Sequence, residues 1–442
     1  MTYRKLLLLV SVLLVACQLG WAQSARMTAA NVQAVVTKAA QQGKPLPVVP
    51  QSATPQGHFR PYVWVSRQLA KPLTSGPSLP SFCNVLVGPG EYAFCPNGLQ
   101  TAYSTTKIVG GGGGAGMVIA IVDAFHYGGA DADLSSFSAT MGLPQCTIAS
   151  GCFQQLDQVG GPPRAGGDSG WELETMLDLE YAHAMAPNAK LVLVEGDDNS
   201  FDNLGIAVTT AVGLADVVSN SYGALLEYYG DGWYGLTQDY LYDVNKPILF
   251  SSGDDSAVYG VQYPCASPYV TCVGGTSLNV NASLQRTSET GWAGSGGGCS
   301  TAETSLPYQN LIGVTVLCGG WRATPDIAAD ADPNTGAAVL DSGNGGYFLV
   351  GGTSLSCPLT AGILADIDTA RVSFGKAKFG GPYAGISLDP ELYNAFTANY
   401  PYFYYDVKTG NNGYAAGPGY DLVTGIGVSS GPALANRFFG LP

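Results

Sequence analysis

Two acids spaced four apart and a serine behind two glycines are the side chains in this sequence best suited to chemistry. The stretch "GWELETMLDLEYAHAMAP", residues 170 to 187, carries Glu172, Glu174, Asp178, Glu180 and His183 in a chain with only 12% charged residues. At about 100° per residue on a helix, Glu174 and Asp178 fall about 40° apart and can touch. Glu172 and Glu180 turn about 160° and 120° away and are expected on the solvated surface, and His183 lies about 180° round from Glu174. Exposed, two like charges at this spacing only cost a few tenths of a kcal/mol. Buried together they form a coupled acid/base pair, one carboxyl held protonated by the charge of the other and by desolvation.

The serine lies in "GGTSLSCP", where Gly351 and Gly352 permit a tight turn between an apolar strand and a helix. Ser354 then stands at the helix N-terminus, where peptide dipoles favour a developing alkoxide or oxyanion. A serine that merely caps the helix is the alternative.

These groups need a scaffold. Apolar β-branched runs alternate with helical patterns: a strand over 117–125, helices near 131–141 and 170–185, a strand at "KLVLVEG", a helix near 202–214, a strand at "DVVSNSYG", a helix near 236–244, and a strand at "KPILFSSGD". A strand at "GGYFLV" and a helix over about 356–371 follow. Near-continuous apolar strands between helices predict an α/β fold with a doubly wound, mostly parallel sheet flanked by helices. Functional groups gather beyond the carboxyl ends of such strands, which nominates Asp123, Ser221, Tyr222, Asp254 and Ser354. The helix bearing the acids is bounded by a Ser169/Glu172 capping box and by Pro187.

The remaining chain sets the compartment. Arg4 and Lys5 precede an apolar run from Leu6 to Ala16, too short for a membrane span and suited to export, so residues 1–22 are expected to be a signal peptide. Cleavage after Ala22 gives a secreted protein; "LVAC" read as a bacterial lipobox gives instead a periplasmic or lipid-anchored one, held at Cys17. Residues 23–90 include "GKPLPVVPQSATPQG" and "KPLTSGPSLPS", Pro-rich stretches expected to form a leader or short propeptide rather than core. The run Gly110–Gly114 lacks a following GK[ST] and is no phosphate loop. Of ten cysteines, eight fall into near pairs, 83/95, 146/152, 265/272 and 299/318, though eight cysteines permit 105 connectivities; Cys357 is odd. No CxxC occurs, and His58, His126 and His183 do not flank cysteines at zinc spacing. A formal net charge of −14 argues against nucleic acid as a partner and suits a protein that meets acid.

In this order, "ETMLDLEYAHAMAP", "SSGDDSA", "YPCASPYVTCVGGTSL", "SETGWAGSGGGCS", "GGTSLSCP" and "GPGYDLVTGIGV" resemble the sedolisin (serine-carboxyl peptidase) family, over roughly residue 90 to the C-terminus. The resemblance implies a subtilisin-like fold over 91–442 and hydrolysis of peptide bonds in protein or peptide substrates, with Ser354 as nucleophile, Glu174 as general base, Asp178 as its partner and Asp254 as oxyanion-hole acid. Asp123 is expected as a further acid near Glu174, a strand-end turn former being the alternative. "NSYGALLE" (Ser221 to Glu227) and Gly294–Gly298 resemble the two walls of the substrate cleft. "YYDVKTGNNGYAAGPGYDLVTGIG" resembles the family's calcium loop, implying one structural Ca2+ held by Asp406, Asp421 and the main-chain carbonyls of Val407, Gly417 and Gly419. The sequence departs from the family in having only residues 23–90 where a long folded pro-domain is usual, Tyr222 where tryptophan is common, and Cys357 in place of a small residue. Two other readings stand beside it: a subtilase using Asp123, His183 and Ser354, although the "HGTH" segment is absent, and an exported binding or surface protein on a peptidase scaffold.

Overall fold

The computed structural model describes residues 26–70, 79–164, 166–225, 240–241, 246–380 and 388–439. Its centre is a ten-stranded sheet whose order runs Tyr404–Tyr405, Val428–Ser429, Ile327–Asp330, Thr271–Val280, Ile248–Ser251, Val217–Asn220, Val118–Ala124, Lys190–Gly196 and Phe153–Asp157, with Arg286–Gly291 hung on Thr271–Val280. Every pairing is parallel except those of Tyr404–Tyr405 and Arg286–Gly291. The central strand, "VIAIVDA", is buried almost throughout because both faces are covered, as its unbroken apolar run requires. The chain leaves Val118–Ala124 for one side of the sheet and returns to the other at Val217–Asn220. That reversal opens a crevice at the strand ends.

Helices Ala130–Met141, Ser169–Met185 and Thr353–Ser373 lie where the patterns predict them, while the predicted helix near 236–244 falls almost wholly outside the described residues. The same holds for the signal segment and Cys17. The strand at "GGYFLV" forms, but joins a separate antiparallel sheet of order Leu46–Pro47, Trp64–Gln68, Gly346–Gly351 and Ala337–Asp341. All four sequence-adjacent cysteine pairs are bonded, and Cys357 is free and buried.

Residues expected to lie off the core as a leader are built into it. Ala29–Gln42 is a helix with a Thr28 capping box, and Val32, Val48, Val63, Val65 and Phe82 belong to the main apolar cluster. Proline confines a strand rather than forbidding it: Trp64–Gln68 carries none and takes hydrogen-bonded neighbours on both edges.

Candidate active site

The helix Ser169–Met185 begins one residue earlier than its predicted capping box, because Asp168 is the N-cap and accepts from the N–H groups of Gly170 and Trp171. It is not a surface helix. Nearly all its residues are buried, and it packs along Thr353–Ser373; a β-carbon on Gly362 would lie 2.5 Å from the Met185 β-carbon, so the glycine allows the close approach. The expectation that Glu180 faces water is therefore corrected. It points away from Glu174 as the helix geometry requires, but into a second packed layer, where it accepts the Leu340 N–H at 3.0 Å.

Glu174, Asp178, Asp123, Ser354 and Asp254 are all at most 2% exposed. Asp178 accepts from the Ser221 hydroxyl at 2.8 Å. Ser221 follows the strand Val217–Asn220, and its carbonyl accepts the Ser354 hydroxyl at 3.1 Å. The two serines thus tie the acid helix to the start of Thr353–Ser373. Neither oxygen of Glu174 or Asp123 completes a hydrogen bond of ordinary geometry among the described residues. Burial, then the charges of Asp178 and Asp123, hold Glu174 well above the ordinary carboxylate range, while the nearby Ser354 hydroxyl opposes that rise. Burial raises Asp178, against the Ser221 hydroxyl. Asp123, at the end of the central strand, is raised by burial and then by Asp178. Three carboxyls in one dry space cannot all ionise, so protons are shared among them.

Asp254 lies three residues beyond Ile248–Ser251. Its Oδ1 accepts the Thr353 N–H at 2.7 Å and the Thr353 hydroxyl at 2.8 Å, while Oδ2 has no partner among the described residues. Burial pushes its pKa up to about 7 against those donors. Below that pH its free oxygen carries a proton it can donate.

His183 is elsewhere. Its Nε2–H donates to the Pro144 carbonyl at 2.8 Å, and burial lowers its pKa. The Asp123/His183/Ser354 arrangement does not form, since Asp123 and Ser354 lie on the opposite side of the helix. Cys357 is no rival nucleophile: burial pushes its thiol up to about 12. Of the expected cleft walls, Tyr222–Leu225 is an extended strand and Leu226 and Glu227 fall outside the described residues. Gly294–Gly298 is packed rather than open, with the Gly296 N–H on the Gly253 carbonyl at 2.7 Å and the Ser256 N–H on the Gly294 carbonyl at 2.8 Å. Sequence reasoning missed the link from Ser221 to Asp178 and the role of Thr353 in fixing Asp254; the strand-end rule had pointed to Ser221 without a partner.

In the loop expected to hold calcium, Asp406 accepts the Gly419 N–H and Asp421 the Gly417 N–H, both at 3.0 Å, so the two acids grip one short stretch. Burial raises Asp421. Lys408 lies 3.3 Å from Asp406. Among the described residues no group of three or more His, Cys, Asp or Glu side chains could hold a metal. A hard cation here would rest on two carboxylates and main-chain oxygens, a donor set that suits calcium.

The family model described as the subtilase family matches residues 165–378. Kumamolisin of Bacillus sp. (strain MN-32) is 30% identical over 376 residues, 77% of this chain and 63% of that protein. Sedolisin of Pseudomonas sp. (strain 101) is 34% identical over 191 residues, 39% of this chain and 29% of that protein. The chain thus spans less than two thirds of the length of either relative. A solved structure, Pseudomonas sedolisin (serine-carboxyl proteinase) complexed with two molecules of pseudo-iodotyrostatin, superimposes with a TM-score of 0.68 at 24% identity, covering 80% of this chain and 99% of that one. The fold and these relatives define a subtilisin-like α/β protein. The chain is similar to members of the sedolisin (serine-carboxyl peptidase) family.

Proposed function

We propose that the protein is a secreted, acid-acting serine-carboxyl endopeptidase that hydrolyses peptide bonds in extended chains. Ser354 attacks the carbonyl carbon, and turning its hydroxyl from the Ser221 carbonyl toward Glu174 lets that carboxylate take the proton and return it to the leaving amine. Asp178, held by Ser221, orients and tunes Glu174. Protonated Asp254 donates to the tetrahedral oxyanion, an interaction worth about 3 kcal/mol in the transition state. The observation that carries this reading is the dry cluster itself: Ser354 stands beside acids whose pKa values burial raises, and Asp254 can donate to an oxyanion only below about pH 7, where it is protonated. No helix among the described residues is long and apolar enough to cross a membrane. Calcium would be held by Asp406, Asp421 and the carbonyls of Val407, Gly417 and Gly419, and would neutralise the buried Asp421 charge and brace the loop.

The test is hydrolysis of a denatured protein from about pH 2 to about pH 8 by the wild type, Ser354→Ala and Glu174→Gln. Activity confined to acid and lost in both variants is expected. A Glu174→Gln protein with full activity, or a profile flat to about pH 8, refutes the reading.

A further inference from the structure

Between Gly298 and Thr324 the chain forms a lobe whose outer surface is unlike the rest of this acidic molecule. Strands Gly298–Thr304 and Trp321–Thr324 pair at its base, the short helices Pro307–Asn310 and Val314–Leu317 form its tip, and the Cys299–Cys318 disulfide closes it. No Asp, Glu, Lys, Arg or His stands between Glu303 and Arg322, in a chain of formal net charge −14. Arg322 itself is buried against Asp326 at 2.8 Å and lends the tip no charge.

The lobe has a small core of its own. Val314, Cys318 and Ala323 are buried with Leu422, and Ile312 and Tyr420 pack against them. A second apolar set is left over and faces outward: Leu311, Val316, Leu317 and Trp321 are each at least 41% exposed, and Val316 is 88% exposed. A side chain so bare stands on a projection, not in a groove. Gly313, Gly319 and Gly320 agree, for a β-carbon on any of them would meet nothing within 4 Å.

Single exposed apolar residues need no explanation, but a concentration of them marks contact with a protein or a membrane. The backbone decides between the two. The N–H groups of Leu311, Ile312, Gly313, Val316 and Cys318 donate to the carbonyls of Tyr308, Gln309, Asn310, Gly313 and Val314, at 3.0 to 3.4 Å. These turns keep their hydrogen bonds inside the tip and offer no free edge to an extended peptide. Internal pairing is what a hydrocarbon environment demands. A folded partner would also need a cavity shaped to receive the projection, whereas a bilayer yields to it. Trp321 lies at the base of the tip, where an amphipathic indole suits the headgroup layer.

We propose that the tip of this lobe, Leu311, Val316 and Leu317 with Trp321 at its base, inserts into the interfacial layer of a zwitterionic phospholipid bilayer. The three aliphatic side chains enter the acyl boundary and the indole stays among the headgroups. Zwitterionic lipid is preferred because an anionic surface repels a molecule of net negative charge. The contact is reversible, since three side chains bury far less apolar area than a spanning helix. It is independent of the proposed catalysis, as none of these residues belongs to the acid cluster or the nucleophile loop.

The Ser354→Ala chain, which cannot digest itself, is recovered after export and its N-terminus is defined by intact mass. It is floated with vesicles of phosphatidylcholine and, separately, of phosphatidylserine, beside the same chain carrying Val316→Asp or Leu317→Ser. Expected are flotation with phosphatidylcholine, a loss of about tenfold or more in lipid affinity for Val316→Asp, and a smaller loss for Leu317→Ser. Lipid should also shift tryptophan emission to the blue, and Trp321→Phe should remove that shift. The altered side chains are exposed, so melting temperatures equal to the parent's are expected. No flotation at any lipid concentration overturns the inference. So does flotation that Val316→Asp and Leu317→Ser leave unchanged, which would place the contact in the N-terminal leader or a lipid on Cys17. Binding to phosphatidylserine alone would show charge attraction instead. A dimer that forms without lipid and is lost in Val316→Asp would make a second copy the occupant. With Ser354 intact, a KM for denatured protein raised by Val316→Asp in the absence of lipid binding would make it a polypeptide substrate.

Discussion

Replacing Asp254 by asparagine separates the two forms of this side chain. The carboxyl is buried, its Oδ1 is fixed by two donors from Thr353, its Oδ2 has none among the described residues, and its pKa is pushed up to about 7 by burial. An unfolded aspartate titrates near 3.9. The folded value lies above the unfolded one, so between them the native state binds more protons than the unfolded state. The stability this gives is fully present below about pH 4 and is lost as the pH climbs through about 7. Three pKa units at 1.36 kcal/mol each amount to ~4 kcal/mol. Asparagine keeps an oxygen for Thr353 and an N–H pair where the acid would carry its proton, and it never ionises. In a Ser354→Ala background, which prevents self-digestion, urea unfolding should find the asparagine variant within ~1 kcal/mol of its parent at about pH 3 and more stable by ~4 kcal/mol at about pH 8. With Ser354 intact, the asparagine variant should keep most of its activity in acid, while Asp254→Ala should lose about 10²–10³ in kcat. A stability difference that is flat with pH, or that favours aspartate as the pH rises, would mean that Asp254 is not a neutral acid in the fold.

Gly352→Ala should destabilise the protein by about 2–4 kcal/mol in denaturant unfolding, because its φ of +111° is disfavoured for alanine and the new carbon would press 2.0 Å from the Tyr62 oxygen; an unchanged midpoint would contradict the packing there. Chelation of calcium should lower the melting temperature, since a ligand at a hundredfold excess over its Kd contributes ~2.7 kcal/mol, and Asp421→Asn should abolish the response. Protein that contains no calcium by elemental analysis and melts unchanged in chelator would remove the metal.

Patterns that depend on local geometry were legible in the sequence. "KLVLVEG" is the strand Lys190–Gly196 to the residue, and Glu174 and Asp178 share a face because four residues make about one helical turn. What lies opposite each face is a tertiary fact. Angle alone sends Glu180 to water, yet the helix is buried on nearly every face, Glu172 being the half-buried exception. Phe153–Asp157, an edge strand with Gln154 and Gln155 in its middle, lacks the apolar run that marks its neighbours. The prolines of residues 23–90 suggested a loose leader, but Pro61 precedes Tyr62 in an edge strand that needs no donor from the proline, so the same residue type that argued against a central strand suits one laid along a cleft. Roles that join distant segments, such as Ser221 with Asp178 or Thr353 with Asp254, carry no periodic signal.

The formal charge of −14 assumes that every carboxyl is ionised at pH 7. The fold does not keep them so. Outside the site, Asp341, Asp368 and Asp389 are each pushed up to about 7, chiefly by burial, and Asp366 to about 6. Some have cationic neighbours, such as Arg371 beside Asp368, but burial outweighs them. A carboxylic acid that stays neutral is a tolerable core residue, because it offers both a donor and an acceptor without a charge to desolvate. The same group becomes a liability once the pH passes its raised pKa, and each contributes a stability that disappears between about 4 and about 7. On the proposed mechanism, acid catalysis and acid stability share one physical origin: burial would tune Glu174 to trade a proton with Ser354, and burial of acids elsewhere ties the intact fold to acid.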